Sequence, residues 1–109
     1  MAQQAVSEGM ERRIGALLAA EIAGFDTSSR AAALTLEAFQ RRRVRRHRAI
    51  TVNFSGGITQ TCWTVIRSDG CYSVIFMPGA GYFSLCVDSD FGPLDIGVHG
   101  AALGCFASV

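Results

Sequence analysis

The chain has 109 residues, 50% of them hydrophobic and 17% charged, with a formal net charge of +1. This balance is typical of one globular domain over residues 1–109 and excludes a disordered chain. No apolar run approaches the roughly 20 residues of a membrane-spanning helix, so we expect no contact with a membrane. The first residues do not resemble a secretory signal, and the four cysteines lack metal-site spacing. We therefore expect free thiols and a cytoplasmic protein.

Two helices are predicted in the first part of the chain, residues 5–48. Apolar residues recur at steps of three and four over residues 5–23, which predicts an amphipathic helix, and Gly24 is placed to end it. The polar residues 26–29 could cap a second helix. We expect this helix to continue through the arginine-rich segment 41–48. Its apolar anchors are Leu34, Leu36 and Phe39.

An antiparallel meander is predicted for residues 49–109, because the hydrophobic period there changes to two. Gly56-Gly57, Asp69-Gly70 and the segment 78–81 predict three turns. We expect the last residues, 94–109, to form a final hairpin that turns near His99-Gly100. The predicted fold class is α+β, with two N-terminal helices packed on an antiparallel meander that ends in a C-terminal hairpin.

The three turns together predict a register for the sheet. Trp63 should oppose Phe76, Phe76 should oppose Phe83, and Ile50 should oppose Trp63. One apolar face then results from all three turns, and we expect the helices to cover it. That face comprises Ile50, Val52, Phe54, Trp63, Val65, Val74, Phe76, Phe83, Leu85 and Val87.

The opposite face of the predicted sheet has no charge at its centre and is too apolar for a freely solvated surface. Either the final hairpin or a partner should cover it. We expect a small non-enzymatic module that binds a protein partner or a second copy of itself, of the regulatory, chaperone or inhibitor (immunity) kind. The predicted interface residues are Ile66, Ile75, Met77 and Tyr82.

Residues 41–48, RRRVRRHR, place six arginines in eight positions of a chain that contains no lysine. At a helix C-terminus such cations complement the helix dipole, which is a purely structural role. A row of arginines also attracts phosphate, so nucleic-acid binding through this block is the alternative function. The candidate binding residues, for an anion or a partner, are Arg41, Arg42, Arg43, Arg45, Arg46 and Arg48.

Motifs for catalysis are missing from the sequence: it contains no nucleophile elbow, phosphate loop or dinucleotide fingerprint. Asp95 and His99 are four residues apart in a predicted strand, hence about 13 Å apart and too distant for a direct pair. His47 lies among arginines, which should disfavour its protonation. We expect no enzymatic activity, no catalytic residue, no cofactor and no metal.

Overall fold

The computed structural model describes residues 2–68 and 70–109, which form two long helices, five strands and a short final helix. Ser29 caps the second helix, because its hydroxyl accepts a hydrogen bond from the backbone N–H of Ala32. The elements are α1 (Ala2–Gly24), α2 (Arg30–Arg42), β1 (Arg43–Phe54), a 3₁₀ turn (Ser55–Gly57), β2 (Ile58–Arg67), β3 (Tyr72–Met77), β4 (Tyr82–Ser89), β5 (Gly92–Gly100) and α3 (Ala102–Ala107).

The five strands follow one another around a closed barrel. Each strand pairs antiparallel with the next, and β1 closes the barrel by pairing with β5 at Asn53 and Leu94. This closing pair is parallel, because the first and last strands of a five-strand meander run in the same direction. The predicted α+β class is confirmed. No helix among the described residues is long and apolar enough to cross a membrane.

The main hydrophobic core lies between the outer face of the barrel and the three helices. Trp63 opposes Phe76 and Phe76 opposes Phe83, as predicted. Six of the ten residues that we expected beneath the helices belong to this core: Trp63, Val65, Val74, Phe76, Phe83 and Leu85. From the helices the core takes Ile14, Leu18, Phe39, Ala102, Leu103 and Cys105.

The predicted face of β1 is wrong by one residue. Ala49 opposes Trp63, whereas we expected Ile50 in that position. The 3₁₀ turn Ser55–Gly57 places three residues between the last paired residues, Phe54 and Ile58, where the prediction assumed a two-residue turn. A shift of one residue turns every side chain of a strand to its other face. The apolar side chains of β1 therefore point into the barrel and away from the helices.

The expected second face of the sheet is the barrel interior. Ile75 and Met77 pack there, and Ile66 joins the main core because β2 has a bulge at Val65. These three predicted interface residues are buried, and only Tyr82 is exposed. The interior cluster is formed by Val52, Cys62, Ile75, Met77 and Cys86, with Ile50 and Phe54 packed against it.

Two element boundaries also differ from the prediction. Helix α2 ends at Arg42, so that Arg43 and the following residues are extended. Like charges three and four residues apart would repel one another in a longer helix. We expected the residues after His99-Gly100 to form the second arm of a final hairpin, but Ala102–Ala107 form the helix α3. The last hairpin of the barrel joins β4 to β5. Asp69 of the predicted Asp69-Gly70 turn lies outside the described residues.

Candidate functional site

Most of the arginine block lies in β1, at an interruption of the pairing between β1 and β2. Arg43 opposes Ile66 and Arg48 opposes Thr64, so that residues 44–47 face a single residue of β2, Val65. We call residues 44–47 the arginine bulge. Because β2 has only one residue opposite these four, the regular ladder does not fix the position of the bulge, and support from outside the sheet would restrict it.

Glu11 of α1 provides that support. One carboxylate oxygen accepts a hydrogen bond from the backbone N–H of His47 at 2.5 Å. The other carboxylate oxygen lies 2.7 Å from Nδ1 of the same residue. The His47 side chain is only 6% exposed, and burial lowers its pKa below 6.5, although the Glu11 carboxylate partly offsets this effect. The pKa of His47 is lowered, as expected from its position among arginines, but burial is the main cause of the shift and Arg43 is a minor one.

Four arginines surround an open groove beside the bulge, with a volume of about 770 Å³. Arg45, Arg46 and Arg48 come from β1, and Arg67 comes from the end of β2. We call this the arginine groove. Its remaining lining is small or apolar and consists of Val44, Ala49, Ile50 and Thr64.

The charges of the arginine groove are largely uncompensated. Arg45, Arg46 and Arg48 form no ion pair with any other residue that the structure describes. Arg67 lies 3.3 Å from Asp88, but both side chains are about half exposed, and such pairs contribute little. The four guanidinium groups are therefore available to an anion.

The other three candidate arginines lie apart from this groove. Arg41 and Arg42 line a separate groove of about 540 Å³ between α2 and α3. Arg43 donates a hydrogen bond to the side-chain carbonyl of Gln40 at 2.9 Å. The predicted row of six arginines is thus divided, and sequence spacing alone could not show the participation of Arg67.

A third groove, of about 1070 Å³, lies on the other side of the bulge, between α1 and β1. We call it the helix groove. Arg46 and Arg48 line both this groove and the arginine groove, so they form the border between the two. Glu8, Glu11 and Arg12 line the helix groove from α1, and Trp63 lines it from β2. Its charge is mixed, unlike that of the arginine groove.

Asp95 and His99 are in direct contact, which corrects the expected separation. His99 Nε2 lies 3.0 Å from an Asp95 carboxylate oxygen, and the Ser84 hydroxyl donates to the same carboxylate. The estimate failed because β5 is irregular: Val98 opposes Leu85 and Asp95 opposes Cys86, which leaves two residues unpaired. One of them is Gly97, with φ of +84°. A glycine inside a strand was the signal for this bulge.

The Asp95 carboxylate also affects the thiols in the barrel. Burial, assisted by Asp95, raises the pKa of Cys62 to about 11 and that of Cys86 to about 12. These thiols stay protonated at neutral pH and behave as apolar side chains. None of the three grooves is lined by Asp95 or His99. Among the described residues, no group of three or more His, Cys, Asp or Glu side chains is arranged to hold a metal ion.

No protein-family model, curated protein or solved structure matches this chain. Function therefore has to follow from the side chains themselves, and the arginine groove is the most distinctive feature that they form.

Proposed function

We propose that this protein binds nucleic acid through the phosphate backbone, with Arg45, Arg46, Arg48 and Arg67 as the contacting residues. The supporting observation is that these four guanidinium groups line one open groove and that three of them have no carboxylate partner among the described residues. A guanidinium forms paired hydrogen bonds to phosphate, and each neutralised phosphate releases counterions. Contacts of this kind carry no base identity, so we expect little sequence preference.

The protein acts by binding rather than by catalysis in this proposal. A carboxylate that orients an imidazole, as Asp95 does for His99, also occurs in general bases. That pair, however, lines none of the three grooves.

All four cysteines are unpaired, and one of them, Cys71, is exposed. Free thiols of this kind support a cytoplasmic location.

The salt dependence of binding tests the proposal. Fluorescence anisotropy of a labelled oligonucleotide should give a log–log slope of about −3.6 for duplex DNA if four phosphates are neutralised, and about −2.8 for a single strand. Replacing Arg45 and Arg46 together by glutamine should weaken binding and reduce the duplex slope by about 1.8.

A matched control separates the groove from net charge. Arg30→Gln with Arg41→Gln removes the same two charges from α2, outside the arginine groove. This double variant should retain most of the affinity and the wild-type slope. Equal losses in the two double variants would show that only net charge matters. No binding at about 50 mM salt, where phosphate contacts are strong, would refute the proposal.

We propose protein binding as a second candidate function, on a different surface from the one first expected. With Ile75 inside the barrel, the exposed large apolar side chains of β5 and of the turn that precedes it are Phe91, Leu94 and Ile96, of which Phe91 is 88% exposed. Exposed apolar side chains of this size favour contacts with another protein. Sedimentation over a range of concentrations should then show self-association that Phe91→Ser with Ile96→Ser abolishes. A monomer at every concentration would exclude a second copy as the partner.

A further inference from the structure

We infer that Glu11 is a positioning residue for nucleic-acid binding: its carboxylate holds the arginine bulge so that Arg46 and Arg48 face the groove. This inference rests on the proposed function. Glu11 lines only the helix groove, and we assign it no contact with the bound strand. Its role is exerted entirely through His47, whose backbone N–H and ring nitrogen both lie against the Glu11 carboxylate.

The geometry of the bulge requires such a support. Residues 44–47 face one residue of β2, so the regular ladder does not determine where they lie. His47 is the buried residue of the bulge, and it is flanked directly by Arg46 and Arg48. The hydrogen bond from the His47 backbone N–H to the Glu11 carboxylate therefore restricts the backbone on which both arginines are carried, and the close approach of the ring nitrogen adds a second contact.

The helix turn that carries Glu11 is anchored to the main core. It lies one turn before Ile14 on α1, and Ile14 is completely buried in the main core. Leu18 follows one turn later and is also completely buried. The helix turn that carries Glu11 is thus anchored to the core, and the Glu11 carboxylate contacts the bulge in the absence of any ligand. Pre-ordering lowers the cost of binding, because fewer side chains have to be immobilised in the complex.

Charge and position predict opposite effects for Glu11. As an acid beside the border arginines, Glu11 should repel phosphate, so a role by charge alone predicts tighter binding when it is removed. As a support, it should promote binding, and its removal should weaken the complex. Glu8 provides the control: it lines the same groove but makes no hydrogen bond or ion pair within the described part of the chain.

The experiment compares Glu11→Ala with Glu8→Ala in the full chain, with the same labelled oligonucleotide. Glu8→Ala should tighten binding by about two- to fivefold, the effect of one exposed charge. Glu11→Ala should weaken binding by about tenfold, because two arginine side chains must then be ordered on binding. The opposite signs of the two effects identify the positioning role.

His47→Phe is the second variant and decides the question if Glu11→Ala does not fold. It removes the ring contact and keeps the backbone N–H, so affinity should fall by less than for Glu11→Ala, about threefold. Glu11→Ala that is folded and binds as tightly as Glu8→Ala would overturn the inference and leave the proposed function standing. Unchanged affinity of His47→Phe would also overturn it. If the wild-type chain does not bind, the proposed function itself fails.

Discussion

Phe76 should be among the most costly residues of the barrel to truncate. Its side chain is completely buried, its ring centre lies 5.0 Å from that of Phe83, and the Arg13 guanidinium lies 4.9 Å from the ring centre. Phe76→Ala loses about 2 kcal/mol of transfer free energy and leaves a cavity of comparable cost. Loss of the ring and cation contacts adds about 1 kcal/mol. We expect the free energy of unfolding to fall by about 4–5 kcal/mol.

Urea denaturation followed by circular dichroism measures this change, since fluorescence of the neighbouring Trp63 would itself respond to the substitution. Phe91→Ala is the matched control, because the same truncation at an 88% exposed side chain should change stability by less than about 0.5 kcal/mol. If Phe76→Ala leaves too little folded protein, Phe76→Leu should show a smaller loss in the same direction. A loss below about 1 kcal/mol for Phe76→Ala would refute the assigned core.

Three further predictions concern single groups. Burial lowers the pKa of His47 below 6.5. The contribution of the neutral ring to stability is therefore complete above pH 6.5 and is lost as the pH falls through the lower pKa of the folded state. Replacing His47 by Phe should flatten this part of the profile of unfolding free energy against pH, measured by urea titration. Cys71 is exposed, whereas burial raises the pKa of Cys62 and Cys105 to about 11 and that of Cys86 to about 12. A thiol reagent at pH 8 should therefore modify one cysteine quickly. Cys71→Ser should abolish this fast phase of the reaction. At the start of α3, Glu21 accepts hydrogen bonds from the backbone N–H groups of Ala102 and Leu103, both at 3.0 Å. Glu21→Ala should therefore lower the free energy of unfolding by about 1–2 kcal/mol and increase amide exchange in α3.

The register between β3 and β4 could be predicted because it depends on one short turn. Met77 and Tyr82 are the last paired residues, and the loop 78–81 lies between them. Pro78 and three small residues made the position of this loop evident from the sequence. Every pair that follows along the two strands is determined once the loop length is known. Phe76 therefore opposes Phe83, as predicted, and Val74 opposes Leu85 further along the strands.

The face of β1 could not be predicted in the same way, because both faces of this barrel are covered. Val52 is buried inside the barrel, while Trp63 is buried beneath the helices. In a sheet that is apolar on both sides, alternation does not identify which side is which. The length of the turn between β1 and β2 alone determines which face each side chain of β1 takes. A turn of three residues in place of two exchanges the two faces of β1.

Two polar arrangements, the arginine groove and the Asp95–His99 pair, arise where strand pairing is irregular. The four arginines meet beside the bulge at residues 44–47, and Asp95 meets His99 beside the unpaired Gly97. Alternation predicts side-chain directions only while one residue faces one residue across the ladder. A bulge breaks this correspondence, and it can bring together side chains that the regular spacing would separate. The bulge of β1 also contacts a second element, because the backbone N–H of His47 is hydrogen-bonded to Glu11 of α1. The arginines therefore depend on the contact between His47 and Glu11, which lie 36 positions apart in the sequence, and no local pattern in RRRVRRHR could have indicated it.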